Sequence, residues 1–163
     1  MILSTFTLVH VVISLIAIFA GLVVVYGLFT GKRLDGWTAL FVWTTVATSV
    51  TGFLFPFHRF MPSHALGIIS LVVLVVVIYA RYGKHLAGSW RGVYTVTAVM
   101  ALYLNVFVLI AQMFQKVPVL KALAPTQSEP PFLVTQLVVL AVFAVLAIVP
   151  AVKFRAQPTA PVA

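Results

Sequence analysis

The first thirty positions decide the solvent in which this chain can fold. From Ile2 to Phe29 there is no lysine, arginine, aspartate or glutamate. An uninterrupted apolar stretch of that length spans a hydrocarbon core ~30 Å thick, which needs about 20 residues of helix. Four more such runs follow, at about Trp37–Phe55, Pro62–Tyr82, Gly92–Phe114 and Pro131–Val152. With 7% charged residues and a mean hydropathy of +1.20, the chain lacks the polar surface a water-soluble domain requires. The expected fold is an all-α membrane protein of five transmembrane helices. Residues 1–153 form a single transmembrane domain and 154–163 a disordered cytoplasmic tail.

Charge placement gives the orientation. Lys32 and Arg33 follow span one, Arg81, Lys84 and Arg91 lie between spans three and four, and Lys153 and Arg155 follow span five. The opposite loops hold only Arg59, Lys116 and Lys121. Short loops rich in Lys and Arg stay cytoplasmic, so the N-terminus is expected outside and the C-terminus inside. The formal charge of +8 is therefore a topology signal, with lipid headgroups as its counterpart. No arginine-rich arm or nucleic-acid motif is present, so no nucleic-acid partner is expected. The absence of cysteine excludes disulfides, iron–sulfur clusters, thiolate metal sites and cysteine nucleophiles. No run precedes span one with the basic start and small-residue cleavage site of a removed signal, so span one is expected to be retained.

Two segments resemble each other. Residues 26–37 and 79–90 both begin with Tyr, contain Gly-Lys and end with Trp, and both join two apolar runs. His10 stands 16 residues before Tyr26, and His64 stands 15 before Tyr79. Spans one–two and three–four thus read as a tandem hairpin repeat, forming an up–down four-helix bundle with one extra helix. The repeat is of the parallel kind, about an axis along the membrane normal.

Histidines within spans are costly unless they have a task or a partner. His10, His58 and His64 all fall near the outer ends of spans, at one depth. In an up–down bundle, spans one and three are diagonal, so His10 and His64 can supply both axial nitrogens of a b-type haem. Gly21, Gly52 and Gly67 would leave room for the macrocycle. Asn105 and Gln112, seven apart on span four, belong to the same polar half and complete the expected cofactor-binding set. Such a site suits a small electron carrier that exchanges with quinone or a membrane redox partner. If the chain is an enzyme, its class is then a membrane oxidoreductase. A copper or zinc site on His10, His58 and His64 is the metal alternative, without supporting His-x₃-His spacing. The other reading is an accessory or assembly subunit without cofactor, in which the polar groups only join helices. Hydrolase motifs are missing, and no acidic residue lies inside a span to drive transport. A homodimer is also allowed, since five helices bury little on their own.

Leu8-Val9-His10 opening an apolar helix, Gly31-Lys32, and Pro62-Ser63-His64-Ala65-Leu66-Gly67 followed by Tyr79-Ala80-Arg81-Tyr82-Gly83-Lys84-His85 resemble a family of small, uncharacterised bacterial membrane proteins. The likeness covers spans one to four. This chain departs from it in loop one, where Leu34-Asp35-Gly36 stands in place of a His-Arg pair. The resemblance implies a helical bundle in the bacterial inner membrane and no particular chemistry.

The outer connection from Gln115 to Pro130 is the longest. Ser128 or Glu129 is expected to cap the fifth helix there, where an anion suits the helix N-terminus. His85, beside Lys84, is expected to be solvated.

Overall fold

The structure, a computed structural model, describes residues 2–32, 34–55, 59 and 62–156. Among them there are only helices and connecting turns. Helix α1 (Ile2–Thr30) is followed by α2 (Asp35–Gly52) and α3 (Pro62–Ile78), and α3 continues into a π-helical turn (Tyr79–Gly83). Then come α4 (Trp90–Lys116), a short α5 (Pro118–Leu123) and α6 (Pro130–Ala156).

The ends follow from local chemistry. Gly31 has φ +71°, and the Lys32 N–H donates to the Gly27 carbonyl at 2.8 Å. That is the six-residue closure by which a left-handed glycine stops a helix. A side chain on Gly27 would strike Leu34 Cδ1 at 2.7 Å, so the returning chain needs a glycine there. Helix α4 stops at Val117, which is extended (φ −82°, ψ 118°) because Pro118 follows. Pro118 then opens α5 at the first helical position, where a missing N–H costs nothing. The long outer connection therefore carries a helical turn of its own.

Helices α1 to α4 form a closed ring in which each packs on the next and α4 returns to α1. Helix α6 lies outside the ring, mainly against α4. Small residues allow the close approach: Ala17, Ala20, Ala98 and Ala101 are all at most 2% exposed. Phe41 and Leu102 fill the centre, their ends lying where a side chain on Gly21 would project.

Among the described residues four helices are long and apolar enough to cross a membrane: α1, α3 with its π turn, α4 and α6. The expected fifth, α2, is helical but less apolar. It opens on Asp35 and carries Thr38, Thr44, Thr45, Thr48, Ser49 and Thr51. Four of its five threonines, at 38, 44, 48 and 51, return their hydroxyl to the carbonyl four residues back, which satisfies the hydroxyl proton within the helix. The outer surface is valine, leucine and isoleucine, with Leu137, Val145 and Ile148 largely exposed on α6. Such a surface is compatible with a multi-pass membrane protein in lipid.

Candidate functional site

Helix α2 is the polar seam of the ring, and its two ends carry the chain's chemistry. At one end, the His10 imidazole of α1 lies against the last turn of α2. Its Nδ1 is 2.7 Å from the Thr51 hydroxyl oxygen. The single Thr51 proton is directed to the Ala47 carbonyl at 2.6 Å. With that proton directed to Ala47, the Thr51 oxygen accepts from a His10 tautomer protonated at Nδ1, and in that tautomer Nε2 keeps its lone pair. Phe55 packs edge-on against the same ring at 5.1 Å. Lys116, at the end of α4, is close enough to act on His10 electrostatically.

His64 is buried at the start of α3 and faces the Phe53 ring at 5.9 Å. Both histidines thus lie at one end of the ring, each against a different aromatic residue following α2. His58 lies outside the described residues. Among the described residues no three His, Asp or Glu side chains gather as a metal-binding group.

The space expected around these histidines is partly taken. The Phe53 ring sits on the bare face of Gly67, 2.9 Å from where a Cβ would be. Leu102 and Phe41 occupy the corresponding space at Gly21. Only Gly52 remains open, with His10 Cε1 at an ordinary 3.8 Å. Two of the three glycines therefore serve side-chain packing, and the room for a macrocycle that they were expected to leave is filled by protein.

Asn105 donates to Thr45 at 3.2 Å, joining α4 to α2, and Gln112 is exposed. Ser49 donates to Ser70 at 3.2 Å, joining α2 to α3. Gln136 of α6 donates to the Phe107 carbonyl at 3.3 Å, while its buried Oε1 has no partner. These bonds spread over four helices and do not converge on one point.

The other end of the seam holds a group that sequence reasoning treated only as a topology cation. Arg81 is 7% exposed, within the π turn. Its guanidinium is ion-paired with Asp35, the first residue of α2, and donates to the Tyr94 hydroxyl at 3.2 Å. Its Cζ also lies 5.4 Å from the Tyr94 ring centroid. The π turn adds a residue to the last turn of α3, and such bulges recur at functional positions. The signal available in sequence was the arithmetic of charge: Asp35 is one of only two acids in the chain, and it stands among cations. His85 is exposed in the following loop, as its neighbour Lys84 implied.

At the histidine end, Glu129 does not reach forward into α6. Its carboxylate turns back to accept from the Thr126 hydroxyl at 2.7 Å, the Thr126 N–H at 3.1 Å and the Ser128 N–H at 3.1 Å. The Thr126 hydroxyl, with these N–H groups, holds the Glu129 carboxyl below the usual carboxylate range. A depressed folded value means the turn gains stability above the unfolded value of about 4.3 and loses it as pH falls through the folded one. Glu129→Ala should therefore melt earlier than wild type at neutral pH and coincide with it in strong acid. Melting curves from pH 7 into strong acid check this, and a constant difference across the range would refute it.

The chain is an all-helical protein compatible with a multi-pass membrane setting, with α2 the hydroxyl-rich helix of a four-helix ring. No family model, characterised protein or solved structure matches it, so its function has to be argued from its own residues.

Proposed function

We propose that this chain is a five-span inner-membrane protein whose histidine end holds a metal-centred cofactor, foremost a b-type haem, and that it works as a small electron carrier. One observation carries the reading. His10 is held through Nδ1 by Thr51, which is the outer hydrogen bond that fixes a metal-ligating histidine and leaves Nε2 for the metal. Lys116, acting on the same site, suits a propionate. Haem supplies one-electron chemistry when bound, while His10 ligates, Thr51 orients and the surrounding phenylalanines exclude water. His64 is the second ligand in this proposal, which requires the Phe53 ring to leave the face of Gly67. Quinone or another membrane redox partner would exchange the electron at the outer face, with the N-terminus outside.

The tandem hairpin repeat belongs to this proposal, since it makes His10 and His64 counterparts. It is supported by the Gly-Lys pair in each turn, where Lys32 and Lys84 donate their N–H to the carbonyl five residues back at 2.8 Å, the first after a left-handed Gly31 and the second closing the π turn. The five-span count rests on α2 completing the ring, with four of its threonine hydroxyls bonded to the helix's own carbonyls and Ser49 to a neighbouring helix.

A second reading, an accessory subunit without cofactor, is favoured by the dispersed bonds between helices. Ser49–Ser70, Asn105–Thr45 and the Gln136 Nε2–Phe107 bond each join two helices locally. It also accords with the filled space at Gly21 and Gly67.

The visible spectrum of protein purified from haem-supplied cells separates the two. The electron-carrier reading expects a Soret band with sharp α and β bands on reduction. His10→Ala should abolish it, Thr51→Val should weaken haem retention about 10- to 100-fold, and His85→Ala should leave it unchanged. A featureless spectrum with no extractable haem, at good yield, sinks the carrier and favours the subunit.

A further inference from the structure

The arginine end of the ring carries a second feature that the electron-carrier proposal does not use. The Tyr79 and Trp90 rings meet edge to face at 5.2 Å, closing the loop between α3 and α4 at its base. Lys84 Nζ lies over both, 5.6 Å from the first centroid and 5.9 Å from the second. A side chain on Gly83 would fall 2.9 Å from the Tyr79 ring, so glycine is what lets the π turn lay that ring beside the lysine. The loop is built, not slack. Lys84 and Leu86 donate their N–H groups back to Tyr79 and Ala80, at 2.8 and 3.0 Å, and Arg91 Nε donates to the Leu86 carbonyl at 3.1 Å. Holding it so requires left-handed backbone at His85 and Leu86, with φ of 50° and 59°. Two successive non-glycine residues there are strained, and the surrounding contacts have to offset this.

The charge at this end is uneven. Lys32, Lys84 and Arg91 belong to it, and Lys32 and Lys84 are exposed. The acid there among the described residues, Asp35, is committed to Arg81. Tyr79 and Tyr82 are each about half exposed beside these cations. A lysine fixed over aromatic rings loses little further freedom when it meets an anion, and aromatic rings at this level belong to the headgroup layer.

We propose that the loop between α3 and α4 is a headgroup site for an anionic phospholipid, with Lys84 as its principal contact and Lys32 and Arg91 as supporting charges. The site recognises the phosphodiester charge, with the Tyr79–Trp90 pair at the level of the glycerol backbone. It stands independently of any haem and rests only on the membrane placement of the chain.

The test is lipid retention by full-length protein in nanodiscs and in detergent, comparing phosphatidylglycerol with phosphatidylcholine. Each cation near an anionic surface contributes about fivefold in affinity. Lys84→Gln should therefore lower phosphatidylglycerol retention about fivefold, and Lys84→Arg should restore most of it. Trp90→Leu should also weaken it, with phosphatidylcholine retention unmoved. Lys121→Gln, at the opposite end, should have no effect. Equal retention of the two lipids at low salt would overturn the proposal, as would wild-type behaviour of Lys84→Gln. Displacement of the lipid by millimolar inorganic phosphate alone would reassign the site to free phosphate and overturn the lipid assignment.

Discussion

Arg81→Ala is expected to destabilise the folded protein by about 2–4 kcal/mol, whereas Asp35→Ala costs about 0.5–1.5 kcal/mol. The asymmetry follows from burial. Arg81 is 7% exposed and Asp35 is 79% exposed. Removing the carboxylate leaves a guanidinium end that water can reach from the side Asp35 vacates, so much of the Coulomb term is recovered as solvation. Removing the arginine takes away the bond to the Tyr94 hydroxyl and the cation over the Tyr94 ring, about 0.5–2 kcal/mol for the latter. It also leaves a cavity beside a fully buried tyrosine. Arg81→Met keeps the aliphatic volume without the charge and should recover part of the loss, since a buried ion pair replaced by an apolar group of similar size is often close to neutral. Arg81→Met combined with Asp35→Ala should cost less than the sum of the two single changes. Thermal melts in detergent, read by tryptophan fluorescence and by size exclusion of heated samples, check all four variants. If Asp35→Ala proves as damaging as Arg81→Ala, then the pair and not the tyrosine contact holds this end together.

Helix positions were legible because apolar run length is a one-dimensional property. The residues that mattered for packing were less so, because spacing along one helix does not reveal what fills the space across it. Gly21 and Gly67 show the difference. In sequence they look like room, and in the structure Leu102 with Phe41, and Phe53, occupy that room. The diagonal placement of α1 and α3 followed from topology, and the ring has α1 and α3 each packing on α2 and α4. The partner of His10 did not follow, since Thr51 is 41 residues away and looks like any other threonine of α2. The deeper omission was Arg81. A cation within a few residues of a span end reads as a topology marker, and only a π turn, which no local pattern signals, rotates it inward to Asp35 and Tyr94. Glu129 was recognised as a structural acid, but its direction was read from helix electrostatics alone. Three donors in the preceding turn outcompete the helix end for its two oxygens.

The second large effect is expected at the centre of the ring. Leu102→Ala should destabilise by about 2 kcal/mol, toward the low end of the 2–5 kcal/mol usual for buried leucines. The reason is the solvent. In lipid the transfer of a leucine side chain out of the core gains or loses little, because acyl chains are as apolar as the interior. What remains is the cavity term, about 24 cal/mol for each Å³ left empty. Gly21→Ala provides the complementary change. In the wild type its new methyl would meet Leu102 Cδ1 at 2.6 Å and Phe41 Cε2 at 2.9 Å. Both of those side chains are fully buried, with no direction in which to retreat. Overpacking there costs about 1–3 kcal/mol, against about 1 kcal/mol regained in helix propensity, so the single change is neutral to destabilising. In the Leu102→Ala background the clash with Leu102 is gone, and the cavity gives the Phe41 ring, otherwise 2.9 Å from the methyl, room to shift. The same substitution should then be stabilising by about 1 kcal/mol, by its propensity alone. Such a reversal of sign between two backgrounds reports coupling through the space that Gly21 and Leu102 share, because independent sites add. Additive behaviour in the melts would mean that α1 and α4 do not meet at Gly21 and Leu102, and the ring as described would have to be rebuilt with a different neighbour for α1.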